Sequence, residues 1–136
     1  MNNIEDQSNR YQIIWDLGRR CSYACSYCPP HRNNKTSPYL SFEKLCETMD
    51  GIAEYANLYD EFRNKPAKKK LSFTGGEPTI HPRFFDFLEY CRDEYPDFSR
   101  GLTTNGWFSI VTLQRVIDTT TGGTISYHCE RSLKLM

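Results

Sequence analysis

Residues 70–82 read KLSFTGGEPTIHP and place a β-strand, a Gly-Gly turn and the start of a helix in direct succession. Lys70–Thr74 has the length and composition of a short strand, and Gly75-Gly76 ends it. Pro82 suits the first turn of a helix, because a missing N–H costs no intrahelical bond there. The predicted buried stripe of that helix is Phe84, Phe87, Leu88 and Cys91. The stretch is therefore predicted to form one strand–helix unit.

The same unit recurs on both sides of this stretch. Further strands are predicted over Tyr11–Trp15, Gly101–Thr104 and Thr124–Tyr127. A helix over about Phe42–Tyr59 follows Ser41 as its N-cap, and another follows Ser109. The inward residues of the latter are expected to be Ile110, Leu113, Val116 and Ile117. This alternation predicts an α/β fold with a parallel sheet, which is either an open doubly wound sheet or part of a barrel.

Charge and composition narrow the class of protein. Lys+Arg and Asp+Glu both number 17, and the resulting net charge of zero gives no reason to expect a nucleic-acid partner. The basic run Lys65–Lys70 is interpreted as a solvated loop. Met1–Arg10 is expected to be a polar tail, without a signal peptide or a membrane span. We therefore expect a cytoplasmic, reducing location, where cysteines serve as metal ligands or buried thiols.

The end of the sequence bears on domain organisation. Only nine residues, His128–Met136, follow the fourth predicted strand. They are too few for a further helix and strand. The domain over residues 11–136 is therefore expected to be either a small four-stranded domain or the N-terminal part of a longer one.

Three of the six cysteines form a C-x3-C-x2-C loop after the first strand, at Cys21, Cys25 and Cys28. Clustered thiolates favour zinc or an iron–sulfur centre over hard cations. A structural zinc site needs a fourth ligand, which His31 or a distant cysteine could supply. An iron–sulfur cube on three thiolates would keep one iron open to a small molecule. A chance cluster of free thiols is the third interpretation.

Polar residues follow the other predicted strands at their carboxyl ends. These segments are Thr74–Thr79, Thr103–Gly106 and Ser126–His128. Each segment alone is typical of a turn. In parallel α/β folds, however, ligands bind at the carboxyl ends of the strands, so four such motifs on one edge indicate a binding site. Glu77 could accept hydrogen bonds from a cationic amine there, and His128 is a candidate for substrate contact.

The cysteine triad, Gly75-Gly76-Glu77-Pro78 and Thr104-Asn105-Gly106 together resemble the radical SAM superfamily, in order and in placement. The resemblance implies a partial TIM-like barrel, of which this chain supplies about four of six β-α units. It implies a [4Fe–4S] cluster on the three cysteines and S-adenosylmethionine on its open iron. The residues implied in binding that cofactor are Tyr27, Gly75, Gly76, Glu77, Pro78, Asn105 and Ser126.

The resemblance also implies a function. Such an enzyme, an oxidoreductase in the broad sense, cleaves S-adenosylmethionine reductively to a 5′-deoxyadenosyl radical, which abstracts hydrogen from a second substrate. A flavodoxin- or ferredoxin-type electron donor is implied. The second substrate is either a peptide or protein or a small molecule. The sequence of residues 75–82 weakly favours peptide- or protein-modifying relatives. The alternatives are a zinc-binding interaction module and a cluster-binding fragment without activity.

Overall fold

The structure, a computed structural model, describes residues 9–21 and 34–126. Its elements alternate as β1 (Arg10–Asp16), α1 (Phe42–Arg63), β2 (Lys68–Thr74), α2 (Phe84–Glu94), β3 (Phe98–Thr104), α3 (Ile110–Thr119) and β4 (Gly122–Ile125). All neighbouring strands are parallel, in the order β1-β2-β3-β4. The predicted α/β fold with a parallel sheet is confirmed, and the carboxyl ends of the four strands lie along one edge.

The core lies between one face of the sheet and helices α1 and α2. Trp15 on β1 pairs with Phe73 on β2, and both rings contact Phe87 of α2 at centroid distances of 5.3 and 5.8 Å. Phe73 and Phe87 are fully buried, as are Leu45 and Met49 of α1 to within 1%. Strand side chains alternate between faces, so Ser72, Gly101 and Thr103 lie on the opposite face. The apolar contacts therefore fix the sheet from the helix side only.

The first helix begins where the sequence predicts and ends later. The Ser41 side chain accepts the backbone N–H of Lys44 at 3.2 Å, which makes it the N-cap. The helix then continues to Arg63, four residues beyond the predicted end at Tyr59. Asn64 ends it in the left-handed conformation, with φ of 49°. Glycine is the usual residue in this position, so a helix end at an asparagine was not predicted.

The interpretation of the basic run as a solvated loop is wrong. β2 begins at Lys68, inside the run. The Lys69 ammonium lies 2.8 Å from a carboxylate oxygen of Asp60 and 3.4 Å from one of Asp97. The run therefore contributes to the sheet and fastens it to the end of α1.

The orientation predicted for α3 is only partly right. Ser109 caps the helix as predicted, through the backbone N–H of Thr112. Val116 packs on the core, but Ile110 and Ile117 are 78% and 61% exposed, which contradicts their inward placement. β4 begins with Gly122 and Gly123, two residues before the predicted strand, and these glycines supply no side chains beneath the helix.

Further boundaries differ from their predictions. β1 begins at Arg10, the last residue of the predicted tail, and β3 begins at Phe98 rather than at Gly101. Pro82 lies in the turn before α2, whose N-cap is Arg83, rather than in the first turn of that helix. Among the described residues, no helix is long and apolar enough to cross a membrane.

Candidate functional site

The Gly75-Gly76 turn packs against the backbone that leads into the first cysteine. A Cβ atom on Gly76 would lie 2.0 Å from the Arg20 carbonyl oxygen. One on Gly75, whose φ is 122°, would lie 2.6 Å from the Gly18 carbonyl oxygen. The chain's own backbone fills the space that a side chain at either position would occupy. The glycines are required because two backbone segments approach each other here.

Hydrogen bonds join these two segments. The N–H of Gly76 donates to the Gly18 carbonyl at 2.7 Å. The N–H of Glu77 donates to the Arg20 carbonyl, also at 2.7 Å. The loop after β2 therefore fixes the backbone next to Cys21.

Glu77 is buried, with only 3% of its surface exposed. Its Oε1 accepts the hydroxyl of Thr79 at 2.6 Å and that of Thr104 at 2.7 Å, and its Oε2 accepts the N–H of Asn105 at 2.7 Å. Charged acceptors form strong hydrogen bonds to such donors. The carboxylate therefore ties the loop after β2 to the end of β3. Pro78, also buried, begins a 3₁₀ turn directly after it.

Cys21 lies at the same edge, and hydrogen bonds to the backbone of Asn34 hold the chain at Cys21 and just before it. Its N–H donates to the Asn34 carbonyl at 3.3 Å, while the N–H of Asn34 donates to the Arg19 carbonyl at 2.9 Å. The Asn105 Nδ2 atom lies 4.0 Å from the Cys21 Sγ atom. The predicted site residues Cys21, Gly75, Gly76, Glu77 and Asn105 are therefore brought together.

The remaining predicted site residues divide into two groups. Ser126 is described: it follows β4, and its N–H donates to the Thr104 carbonyl at 2.8 Å, which places it at the same edge. Five others lie outside the described residues, namely Cys25, Tyr27, Cys28, His31 and His128.

The sequence reasoning missed a group of residues that packs against Arg20, directly before Cys21. The Arg20 guanidinium lies 4.4 Å above the Tyr39 ring, whose centroid is 4.7 Å from that of His81. His81 is buried; its Nδ1 accepts the N–H of Arg83 at 3.0 Å, and its Nε2 lies 2.9 Å from the Leu40 carbonyl. Nδ1 is therefore the acceptor and Nε2–H the donor. The His-Pro pair was the sequence signal for this turn, but His81 received no role.

Cys46 and Cys91 lie in helices α1 and α2, away from the sheet edge that carries Cys21. Burial raises the pKa of the Cys91 thiol to about 12 and is also the main cause that raises the pKa of Cys46. Burial in apolar surroundings makes a thiolate unfavourable. Among residues 9–21 and 34–126, no three His, Cys, Asp or Glu side chains form a metal-binding group.

A sequence model of the radical SAM superfamily matches residues 15–120, most of the chain. The chain belongs to the radical SAM superfamily. Enzymes of this superfamily use a [4Fe–4S] cluster and S-adenosylmethionine. The GTP 3′,8-cyclase of a Sulfurovum species is 29% identical over 102 residues, which are 73% of this chain and 28% of that protein. The chain spans less than a third of the length of the curated relatives it matches.

Solved structures agree with the observed fold. BtrN, crystallised with AdoMet and 2-DOIA, aligns with a TM-score of 0.63 at 17% identity and covers 88% of this chain and 46% of its own. Streptococcus suis SuiB, bound to the precursor peptide SuiA, aligns with a TM-score of 0.66 at 15% identity over 93% of this chain and 26% of its own. The four parallel strands and three helices of this chain therefore have the fold of part of these radical SAM structures, in agreement with the predicted partial barrel.

Proposed function

We propose that this chain binds a [4Fe–4S] cluster through Cys21, Cys25 and Cys28, and S-adenosylmethionine beside it. The single observation that carries the proposal is the position of Cys21 at the sheet edge, where Asn105 of the loop after β3 lies beside its sulfur and the loop after β2 bonds to the preceding Arg20. Cys21 has a fixed backbone and an amide donor 4.0 Å from its sulfur, and both features favour a thiolate that binds a soft metal centre. When bound, the cluster would supply the electron for reductive cleavage of S-adenosylmethionine. The product is the 5′-deoxyadenosyl radical, which would abstract hydrogen from a second substrate.

Glu77 has a double role in this proposal. Its carboxylate holds the two loops together, and within the described residues Oε2 accepts one bond while Oε1 accepts those of Thr79 and Thr104. Each carboxylate oxygen offers about two acceptor positions, and Oε2 uses one of them. Oε2 can therefore accept one more donor, such as the amino group of S-adenosylmethionine. Gly75, Gly76 and Pro78 shape this loop, while Tyr27, Asn105 and Ser126 complete the proposed binding edge.

The electron donor and the second substrate follow from family chemistry rather than from this site. A flavodoxin- or ferredoxin-type protein is proposed as the reductant, in the reducing cytoplasm. The relatives' names include a GTP cyclase, and one structural neighbour holds a precursor peptide. One scaffold thus carries different substrates, and the second substrate of this chain is left between a peptide and a small molecule.

Anaerobic reconstitution of the full chain with iron and sulfide tests the cluster. We expect about four irons and four sulfides per chain, and no stoichiometric zinc. After chemical reduction, S-adenosylmethionine should yield 5′-deoxyadenosine, measured by chromatography. One tightly bound zinc without iron would instead support the zinc-binding module.

Cysteine variants give the control for this experiment. Cys21→Ala, Cys25→Ala and Cys28→Ala should each lose iron, whereas Cys46→Ala, outside the triad, should retain it. Retention of full iron by all three triad variants would exclude the proposed ligands. If the cluster-loaded chain makes no 5′-deoxyadenosine, the proposed cluster site stands but the proposed activity is contradicted.

A further inference from the structure

The side chain of Asn105 has a defined orientation. Its Oδ1 accepts the backbone N–H of Trp107 at 3.0 Å, in the turn that follows β3. Exchanging the oxygen and nitrogen of the amide would set a donor against this N–H. Nδ2 must therefore occupy the other position, 4.0 Å from the Cys21 Sγ atom, where its N–H can donate to the large sulfur atom.

The donor and its acceptor are anchored to the same loop. The backbone N–H of Asn105 donates to Glu77 Oε2, while Glu77 is itself fixed through its N–H to the Arg20 carbonyl, next to Cys21. Thr104, which precedes Asn105, donates its hydroxyl to Glu77 Oε1. Movement of the Asn105 backbone away from the thiol would therefore break its bond to a buried carboxylate, and rotation of its side chain would break the bond with the Trp107 N–H.

We infer that Asn105 sets the reduction potential of the cluster by donating a hydrogen bond to the Cys21 thiolate. This inference rests on the proposed cluster site. Reduction adds one electron, and the added negative charge spreads onto the thiolate sulfurs. A donor at one of those sulfurs favours the reduced state more than the oxidised one, and hydrogen bonds to sulfur are known to tune such potentials. Asn105 is a positioning residue that acts through Cys21.

The test is a redox titration of the reconstituted full chain, with dithionite as the reductant and electron paramagnetic resonance as the readout. Asn105→Ala removes the donor. Asn105→Asp keeps an oxygen acceptor for the Trp107 N–H and replaces the donor with a carboxylate. Both variants should be harder to reduce than wild type. At the wild-type midpoint, we expect the reduced-to-oxidised ratio to fall about tenfold, which is about 59 mV for one electron.

Gln114→Glu is the matched control, because it makes the same change from amide to carboxylate on the exposed face of α3. Its midpoint should equal that of wild type. Iron content and far-UV circular dichroism are measured for every sample. If Asn105→Ala does not fold, Asn105→Asp carries the comparison, since it preserves the turn.

The remaining outcomes separate the two proposals. Full iron with an unchanged midpoint in the Asn105 variants would overturn this inference and leave the cluster site intact. Loss of iron from a folded Asn105 variant would also overturn it, because the residue would then hold the cluster rather than tune it. Failure of the wild-type chain to take up iron would overturn the proposed function, and this inference with it.

Discussion

The Oε2 atom of Glu77 accepts the backbone N–H of Asn105 at 2.7 Å, across 28 positions of sequence. This bond joins the loops that follow two neighbouring strands. The same glutamate fixes the backbone before Cys21. The proposed binding edge is therefore a framework of hydrogen bonds centred on one buried carboxylate.

Replacing this carboxylate should destabilise the fold as well as weaken cofactor binding. Glu77→Gln sets an NH₂ group against one of the donors now held, and a buried donor without an acceptor costs roughly 1–3 kcal/mol. We expect a loss of that size in the free energy of unfolding, measured with urea on the apoprotein. Glu54→Gln, on the exposed face of α1, should change it by less than about 0.5 kcal/mol. Equal stability of the two variants would contradict a structural role for Glu77.

Two glycine substitutions should act in opposite directions. Gly76→Ala places a Cβ atom 2.0 Å from the Arg20 carbonyl oxygen, so the backbone before Cys21 must separate from the loop after β2. We expect a strongly lowered melting temperature and loss of iron uptake. Gly51→Ala lies within α1, in open space, and should stabilise the chain by roughly 0.5–1 kcal/mol. Thermal melts followed by circular dichroism measure both. An unchanged melting temperature in Gly76→Ala would contradict the observed packing.

The sequence predicts the architecture better than the site's internal bonds. Alternating strands and helices determine the parallel sheet, so the edge that carries Cys21 and Glu77 follows from topology. The hydrogen bonds of Glu77 could not be predicted from the sequence, because its partner Thr104 is 27 positions away at the end of β3. For the same reason, the ion pair of Lys69 with Asp97 was hidden inside a basic run. Ile110 and Ile117 show that helical spacing identifies an apolar face but not whether a neighbour covers it.

His81 should contribute to stability through its hydrogen bonds with the segments at Leu40 and Arg83. His81→Asn keeps a side-chain acceptor near the N–H of Arg83 but cannot reach the Leu40 carbonyl, 2.9 Å from Nε2 in the structure. His81→Leu removes both contacts from a site that is only 5% exposed. Each substitution removes hydrogen bonds made by the buried His81 ring, so we expect losses of roughly 0.5–1.5 kcal/mol for Asn and more for Leu, measured by urea unfolding. A His81→Leu variant with the same free energy of unfolding as wild type would contradict this role of His81.

Asp50 should make the stability of the helix layer depend on pH in the acid range. Its Oδ1 accepts the hydroxyls of Tyr90 and Tyr95, each at 2.5 Å, which joins α1 to α2 and to the residue after α2. The bond from Tyr90, followed by that from Tyr95, lowers the pKa of Asp50 below its usual 3.8. A carboxylate with a lowered folded-state pKa contributes stability above its unfolded pKa. That contribution is lost as pH falls through the folded value.

The measurement compares urea unfolding of wild type and Asp50→Asn from pH 7 down to pH 2.5. The stability difference between them should be largest at neutral pH and should shrink below about pH 4, because the wild-type carboxyl becomes protonated there. Other carboxylates titrate in both proteins and cancel in the difference. Tyr90→Phe combined with Tyr95→Phe removes the two donors and should give an Asp50→Asn difference that is small at every pH. A difference that stays constant from pH 7 to pH 2.5 in the otherwise wild-type chain would show that the two hydroxyls do not favour the ionised form of Asp50.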